Sequence, residues 1–439
     1  MDISHKKLFI LPNLSKFIYL QKLYCNDNNL TQLNYLPPFL EELKCSHNQL
    51  ILLDNLPHFL QKIYCDDNQL IQLNNLPPFL EELNCSDNRL IHLNNLPHLL
   101  QKLYCTDNQI TQLNILPSSL LELDCSRNHL TQLDNLPSSL QKLYCSMNQL
   151  TQLDNLPSSL QKLCCLQNRI TQLDNLPHFL QKINCSWNQL IQLDNLPPSL
   201  LKLDCACNQI SRLDNLPSSL QTLKCGHNQL TQLDNLPSLQ KLYCSCNQII
   251  QLDNLPSSLK ILHCSANQLT KLDNLPSSLQ ILHCSDNQLM ELDKLPSSLL
   301  ELYCYDNSIR QLDNLPFSLC KLNCSYNQLT QLNNLPSSLL ELYCNNNSII
   351  LLDNLPLSLQ ELNCYENKME NNDLKYWKEI TKNKKLKLLK EKINARKIQK
   401  IWRKYWYDFY KYELIDGKYI GFCRFIERSY SIMNDNYIS

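Results

Sequence analysis

Residues 140–157 read LQKLYCSMNQLTQLDNLP, and close copies of this stretch recur every 20 residues from Leu20 to Asn367. Eighteen copies follow one another along the chain. One copy is a residue short, because a single serine separates Pro237 from Leu239 where the other copies have two residues. All later copies keep their spacing, which predicts that the shortened place is a loop and not a strand.

The apolar residues of each copy predict how the copies pack. A unit this short cannot bury enough apolar surface alone, so neighbouring units must stack and share one core. Residues on either side of Leu143 point away from that core, because alternate residues of a strand face opposite sides. We therefore predict a ladder of parallel strands about 4.8 Å apart, with a conserved interior and a variable outer face.

The copies match the pattern L-x-x-L-x-L-x-x-N-x-L, with cysteine at the third apolar position. The chain thereby resembles leucine-rich-repeat proteins. The Leu-Pro pair that closes each copy is similar to the short bacterial-type repeats of Yersinia and Shigella effectors and to arrays in giant amoebal viruses. This resemblance implies a leucine-rich-repeat solenoid, a horseshoe with a parallel β-sheet on its concave side. The convex side would be extended and partly polyproline II, since every copy carries a proline there.

Three parts of the chain are predicted. Residues 1–19 form an N-terminal cap, residues 20–368 form the solenoid of 18 repeats, and residues 369–439 form a basic, helical tail. The tail has 17 Lys or Arg and 9 Asp or Glu, a net charge of +8; since the whole chain carries −1, the residues before it carry −9. A mildly acidic body thus precedes a basic tail.

The 23 cysteines are explained mainly by their position in the repeat, because eighteen of them, from Cys25 to Cys364, occupy one place. A straight row of sulfurs neither surrounds a zinc ion nor favours disulfide geometry, so we interpret them as small buried apolar residues. No metal, cofactor or catalytic site is predicted. Buried free thiols suit a reducing compartment, and no apolar run approaches a membrane span. We expect a cytoplasmic protein, in the host cytoplasm if the source is viral.

Two polar residues also recur. One asparagine per copy, such as Asn108, is expected to satisfy backbone groups of the adjoining turn, and asparagine tolerates unusual turn dihedrals in a chain with three glycines. Ten successive copies carry aspartate after the strand, from Asp134 to Asp313. These aspartates are interpreted as turn caps that accept backbone N–H bonds. A cation-binding edge is the alternative.

The variable outer positions of the concave face are the predicted site for a protein partner. Lysine and glutamate alternate in the early copies, and this alternation gives way to four successive lysines that form a candidate basic stripe. Tyrosine, tryptophan and histidine nearby are typical recognition anchors. The predicted partner-binding residues are Tyr104, Lys142, Tyr144, Lys162, Lys182, Trp187, Lys202, Tyr243, His263 and His283.

The tail suggests a second binding element. Apolar residues recur every three or four positions from about residue 373 to 412, which predicts amphipathic helices that cap the last repeat. Residues 395–404 resemble the first half of a calmodulin-binding IQ motif, although the family's glycine is Lys404 here. The resemblance implies a calmodulin-like partner at Ile398, Gln399, Trp402 and Arg403. Capping alone, a membrane surface and nucleic acid are the alternatives, the last two without strong support.

No catalytic constellation interrupts the repeats, and the sequence has no glycine-rich phosphate loop and no His-Glu-x-x-His motif. Some bacterial effectors with similar repeats carry a cysteine ubiquitin-ligase domain, but the 71 residues of the tail are too few for one, and Cys423 lacks the expected acidic motif. We therefore predict a monomeric, non-catalytic protein–protein interaction scaffold.

Overall fold

A computed structural model describes residues 1–350, 352, 355–356, 358–368, 414–415 and 418–419. The chain divides into two compact units, Met1–Asn367 and Lys368–Ser439. In the second unit, β19 (Leu414–Ile415) pairs with β20 (Lys418–Tyr419) in antiparallel fashion. The predicted tail helices lie outside the described residues.

The first unit contains one sheet of eighteen strands, each three residues long. The strands are β1 Lys22–Tyr24, β2 Glu42–Lys44, β3 Lys62–Tyr64, β4 Glu82–Asn84, β5 Lys102–Tyr104, β6 Glu122–Asp124, β7 Lys142–Tyr144, β8 Lys162–Cys164, β9 Lys182–Asn184, β10 Lys202–Asp204, β11 Thr222–Lys224, β12 Lys241–Tyr243, β13 Ile261–His263, β14 Ile281–His283, β15 Glu301–Tyr303, β16 Lys321–Asn323, β17 Glu341–Tyr343 and β18 Glu361–Asn363.

Every strand of this sheet pairs in parallel with the strand of the next repeat, as the sequence predicts. The shortened repeat does not disturb the register, because Thr222 of β11 still lies beside Lys241 of β12. The one-residue deletion lies in the loop before β12, where the Leu239 N–H donates to the Pro237 carbonyl at 2.6 Å. The prediction that the deletion falls in a loop is confirmed.

The interior of the sheet unit consists of the recurring leucines and cysteines. In one repeat Leu140, Leu143, Cys145 and Leu150 are fully buried, and Leu153 is nearly so. Burial of each such leucine contributes on the order of 2 kcal/mol. The middle residue of nearly every strand belongs to this core, whereas the first and third residues lie on the opposite side. We call that side the strand face, and its two lines of side chains the first row and the third row.

The recurring asparagine binds the backbones of adjacent repeats together. The Asn108 side-chain N–H group donates to the carbonyls of Cys85 at 3.0 Å and Cys105 at 3.2 Å. Its carbonyl accepts the Leu90 N–H at 2.9 Å. The predicted role of this asparagine in satisfying turn backbone groups is confirmed.

The left-handed backbone conformation falls partly on residues that the sequence did not single out. The residue before the recurring asparagine has a φ between 51° and 58° in every repeat; Met147 and Trp187 are examples. The recurring asparagine itself does not take this conformation. A second left-handed position is the asparagine of the Asp-Asn-Leu-Pro segment, for example Asn155 at 53°, where asparagine's tolerance is used.

The segments between strands consist of turns, bends and extended chain, and no helix occurs between β1 and β17. A turn follows the Leu-Pro pair of the full-length repeats; in one repeat, the Leu160 N–H donates to the Pro157 carbonyl at 3.0 Å. Extended connections are therefore confirmed for these repeats, while their polyproline II character stays a prediction. Among the described residues, no helix has the length and apolar content needed to cross a membrane.

Residues 1–14 follow the course of a repeat and lie against the first full one. Asp2 forms a parallel bridge with Tyr24, and the Leu8 carbonyl accepts the Asn29 N–H at 2.8 Å. Leu11 and Leu14 are buried. Residues 1–14 thus continue the repeat ladder ahead of the first full copy, and the role of residues 1–19 as a cap stays a prediction.

Candidate protein-binding face

Ion pairs join neighbouring strands in the first row, where the sequence alternates lysine and glutamate. Lys22 and Glu42 approach to 3.1 Å, and Lys142 and Glu122 to 2.8 Å. Such pairs at a solvent-exposed surface contribute little to stability. Lys142 was predicted to belong to the basic stripe, but its ammonium group is neutralised by Glu122, so it forms the boundary of the stripe.

The lysine run itself is present in register. Lys162 of β8 is in register with Lys142 of β7 and with Lys182 of β9. Lys182 is in turn in register with Lys202 of β10. Burial lowers the pKa of Lys162, and the charges of Lys182 and Lys142 lower it further. Burial also lowers the pKa of Lys202, with a further contribution from Lys182 and Lys241. Partial burial and mutual repulsion therefore disfavour the charged form of these two amines.

Two basic residues that the sequence analysis passed over extend the run. Lys241 occupies the first row of β12, one strand beyond Thr222. Lys224, in the third row, forms an ion pair with Asp204 at 3.3 Å. The repeat period was the signal that identifies Lys241, which Thr222 separates from the four successive lysines.

Aromatic rings form a continuous series in the third row from β12 to β15, here called the stack, in which only the two histidine rings are parallel. The centroids of Tyr243 and His263 are 4.7 Å apart, those of His263 and His283 are 3.9 Å apart, and those of His283 and Tyr303 are 4.4 Å apart. Burial lowers the pKa of His263 to about 3, with a further contribution from His283. Burial also lowers the pKa of His283 to about 4. The stack is therefore uncharged at neutral pH.

Tyr104 and Tyr144 lie on either side of a buried acid that the sequence analysis missed. Both flank Asp124 in the third row, and Asp124 is 3% exposed. Burial raises the pKa of the Asp124 carboxyl, and a hydrogen bond from Ser126 opposes that shift. Burial also raises the pKa of Tyr144. The Tyr-Asp-Tyr order at the repeat period was the available signal.

Trp187 lies apart from both rows. It occupies the left-handed turn position after β9, three residues beyond Asn184, and is 43% exposed. Since it does not sit on a strand, it can contribute only to the margin of the strand face. The four predicted tail residues, Ile398, Gln399, Trp402 and Arg403, lie outside the described residues.

The recurring cysteines from Cys25 to Cys364, here called the cysteine row, have unreactive thiols. Burial raises the pKa of Cys25 to about 12 and that of Cys45 well above its usual value. Several thiols face the carbonyl of the next strand; the Cys65 sulfur, for example, donates to the Asn84 carbonyl at 3.3 Å. Neutral, buried thiols are poor nucleophiles and poor metal ligands.

Several of the aspartates that follow the strands have side-chain partners. Asp214 pairs with Arg212 at 2.8 Å, and Asp273 pairs with Lys271 at 3.1 Å. Asp174 accepts a hydrogen bond from the Gln172 amide. These partners lie two residues earlier in the chain, whereas the sequence analysis expected backbone N–H donors. Across the described part of the chain, no three His, Cys, Asp or Glu residues are grouped in a way that could hold a metal ion.

Comparison with known proteins identifies the repeat. A family model described as leucine-rich repeats in two copies matches residues 218–257. The structure of YopM from Yersinia enterocolitica is 36% identical, with a TM-score of 0.81, and the match covers 84% of this chain and 88% of that one. YopM from Yersinia pestis, described as a leucine-rich effector protein, is 33% identical with a TM-score of 0.57 over 73% of this chain and 87% of that one.

A leucine-rich-repeat protein of Leptospira interrogans is 27% identical, with a TM-score of 0.51 over 70% of this chain and 90% of that one. The search of curated proteins by sequence returned no match.

Proposed function

Since the chain belongs to the leucine-rich-repeat family, with YopM among its relatives, we propose that it is a non-catalytic scaffold that holds a protein partner on the strand face. Leucine-rich-repeat folds are typical of protein–protein interaction scaffolds. The family resemblance predicts that the strand face is the concave one. A monomer remains the expected state.

One observation carries the placement of the partner. Between β8 and β15, lysine and aromatic side chains replace the alternating ion pairs of the early strands. The lysine run occupies the first row, and the stack from Tyr243 to Tyr303 occupies the third. Half-buried aromatic and cationic groups side by side are the composition of binding hot spots. The remaining strands keep the repeat's framework around this region.

Affinity capture with the full-length chain tests the proposal. The double variant Lys162→Glu, Lys182→Glu should lose the captured partner, whereas the matched double variant Lys271→Glu, Lys294→Glu should retain it. The control changes the net charge equally at exposed residues outside the strands. Equal capture by both variants, at equal thermal stability, would place the partner elsewhere.

The tail carries a second candidate function. The IQ-like sequence around Ile398 and Gln399 supports a calmodulin-like partner, and the basic composition of the segment supports a membrane-surface adaptor. A pull-down of calmodulin by the full-length chain, with and without calcium, against the variant Ile398→Ala, Trp402→Ala, distinguishes the two. Anionic vesicles serve as the second probe.

We also propose a reducing, cytoplasmic location. The support is the row of buried free thiols, all of which are unpaired with one another in the described residues. A viral origin stays a prediction from the repeat resemblance. Imaging of the tagged full-length chain in host cells tests the location.

A further inference from the structure

The first row changes character in an ordered way along the sheet. Charges alternate from β1 to β7, lysines follow from β8 to β12 with one threonine between them, and isoleucines occupy β13 and β14 before glutamate returns at β15. The row therefore contains a basic segment directly next to an apolar one. Within the described sheet, this is the longest departure from alternating charge.

The basic segment is unfavourable for the chain on its own. Lys162 and Lys182 are in direct register, as are Lys182 and Lys202, and like charges at that spacing repel. Both Lys162 and Lys202 have their pKa values lowered by burial first and by neighbouring lysines second. An anionic ligand would relieve this repulsion, so the lysines favour a partner with several negative charges in a row.

The apolar segment continues the same line. Ile261 and Ile281 are in register in the first row, and the stacked rings of His263 and His283 lie beside them in the third row. The half-buried side chains form a small apolar surface bounded by Lys241 and Glu301. A surface of this size suits one or two aliphatic or aromatic side chains of a partner.

We infer that the strand face binds an extended acidic peptide segment of the partner, with its carboxylates over β8–β12 and an apolar anchor over β13–β14. This inference rests on the proposed function and names the partner's chemistry. Six strand intervals of about 4.8 Å span roughly 29 Å, the length of about nine extended residues. The geometry thus matches a short linear segment in which the acidic residues and the anchor are adjacent.

Charge complementarity favours a peptide over a nucleic acid. The basic segment is short and contains the Asp204–Lys224 pair. Glu122 lies beyond Lys142 on one side of it, and Glu301 lies beyond the isoleucines on the other. The residues before the tail carry a net charge of −9. A long polyanion would meet repulsion beyond the lysine run, whereas a short acidic segment with an apolar end would not.

Fluorescence anisotropy with labelled peptides and the full-length chain tests this inference. The probe is a ten-residue peptide with six glutamates, a glycine and three leucines. Companion probes are the same peptide without leucines, a lysine-for-glutamate version and a ten-nucleotide oligothymidylate. Affinity for the first probe should exceed that for every companion by at least about tenfold, because charge and anchor contribute together.

Variants separate the two contributions. Lys162→Glu with Lys182→Glu should weaken binding of the anchored probe by at least about tenfold, while Lys271→Glu with Lys294→Glu should leave it unchanged. Ile261→Ser with Ile281→Ser should weaken the anchored probe by about tenfold and leave the probe without leucines unaffected. Lys162→Gln with Lys182→Gln, which adds no negative charge, should fall between wild type and the glutamate variant.

Three results would overturn the inference: no binding of the anchored probe by wild type, equal binding by the glutamate variant, or stronger binding of the oligonucleotide. If the wild-type chain does not bind the acidic probe but the glutamate variant still loses the captured partner, the inference of an acidic segment is wrong. The proposed scaffold function then stands. If the partner is captured regardless of the variant and the probe binds normally, the placement in the proposed function is wrong.

Discussion

The imidazole of His263 lies parallel to that of His283, with 3.9 Å between ring centroids and 11° between ring planes. Both rings are half-buried on the strand face, and burial lowers the pKa of His263 to about 3 and of His283 to about 4. The pair therefore stacks as two neutral rings beside Tyr243 and Tyr303.

This stack predicts how stability depends on pH. In the unfolded chain both histidines take up protons as the pH falls through about 6.5, whereas in the folded chain they resist until about pH 4 and about pH 3. The unfolded state thus binds more protons in this window, so stability falls as the pH decreases from 6.5 toward 4. Above pH 6.5 the two histidines contribute no pH dependence.

Urea unfolding at pH 7.5 and pH 5.0 measures the effect. The loss of unfolding free energy between these pH values should be larger for wild type than for His263→Asn with His283→Asn, in which no imidazole can be protonated. His129→Asn is the control, because His129 is exposed and lies outside the strands. An identical loss in wild type and the double variant would show that the stack does not hold the imidazoles neutral.

The recurring asparagines that bind adjacent repeats together form the asparagine ladder. Substitution of one of them should cost much more stability than substitution of an asparagine in the Asp-Asn-Leu-Pro segment. Asn108→Ala removes bonds to the Cys85 and Cys105 carbonyls, which still accept from Asn88 and Asn128, and leaves the buried Leu90 N–H without its acceptor. The expected loss is about 2 kcal/mol. Asn155→Gly changes only an exposed left-handed turn residue and should cost well under 1 kcal/mol. Denaturant titration of both variants checks this, and equal losses would contradict the ladder's role.

The cysteine row predicts protection from alkylation. Cys205 and Cys207 are two residues apart, but Cys205 is fully buried and Cys207 is partly exposed. Burial raises the pKa of Cys205 well above its usual value, so its thiolate is scarce as well as inaccessible. With iodoacetamide at neutral pH, mass spectrometry should find Cys207 modified and Cys205 unmodified until denaturant is added. Similar rates in the native protein would place the row on the solvent side.

The repeat determined most of the fold in advance. A fixed period with leucine and cysteine at constant positions allows one stacking arrangement, so the parallel register, the buried cysteine row and the loop location of the deletion before Leu239 all follow from the sequence. The left-handed residue before each recurring asparagine did not follow. Residues as different as Met147 and Trp187 occupy it, because its conformation is imposed by the repeat and not by the side chain.

The sequence was enough to assign the candidate residues to their rows, but not to predict how their side chains pair. The residues of each row recur at the repeat period, so Lys162, Lys182, Lys202 and the two histidines could be assigned to their rows from the sequence. Side-chain pairing does not follow from the period. The Glu122 carboxylate lies 2.8 Å from the Lys142 ammonium group, and this ion pair removes Lys142 from the stripe. The burial of Asp124 between two tyrosines likewise depends on how neighbouring side chains lean across strands, which the period does not encode.

The central claim is that the lysine run on the strand face contacts the partner. Acetylation of lysines by a limiting reagent, followed by mass spectrometry with and without the captured partner, measures this on the unmodified full-length chain. Lys162, Lys182 and Lys202 should be protected by the partner, while Lys271 and Lys294, outside the strands, should react equally in both states. Unchanged reactivity of the three strand-face lysines in the complex, or protection of Lys271 and Lys294 instead, would contradict the account.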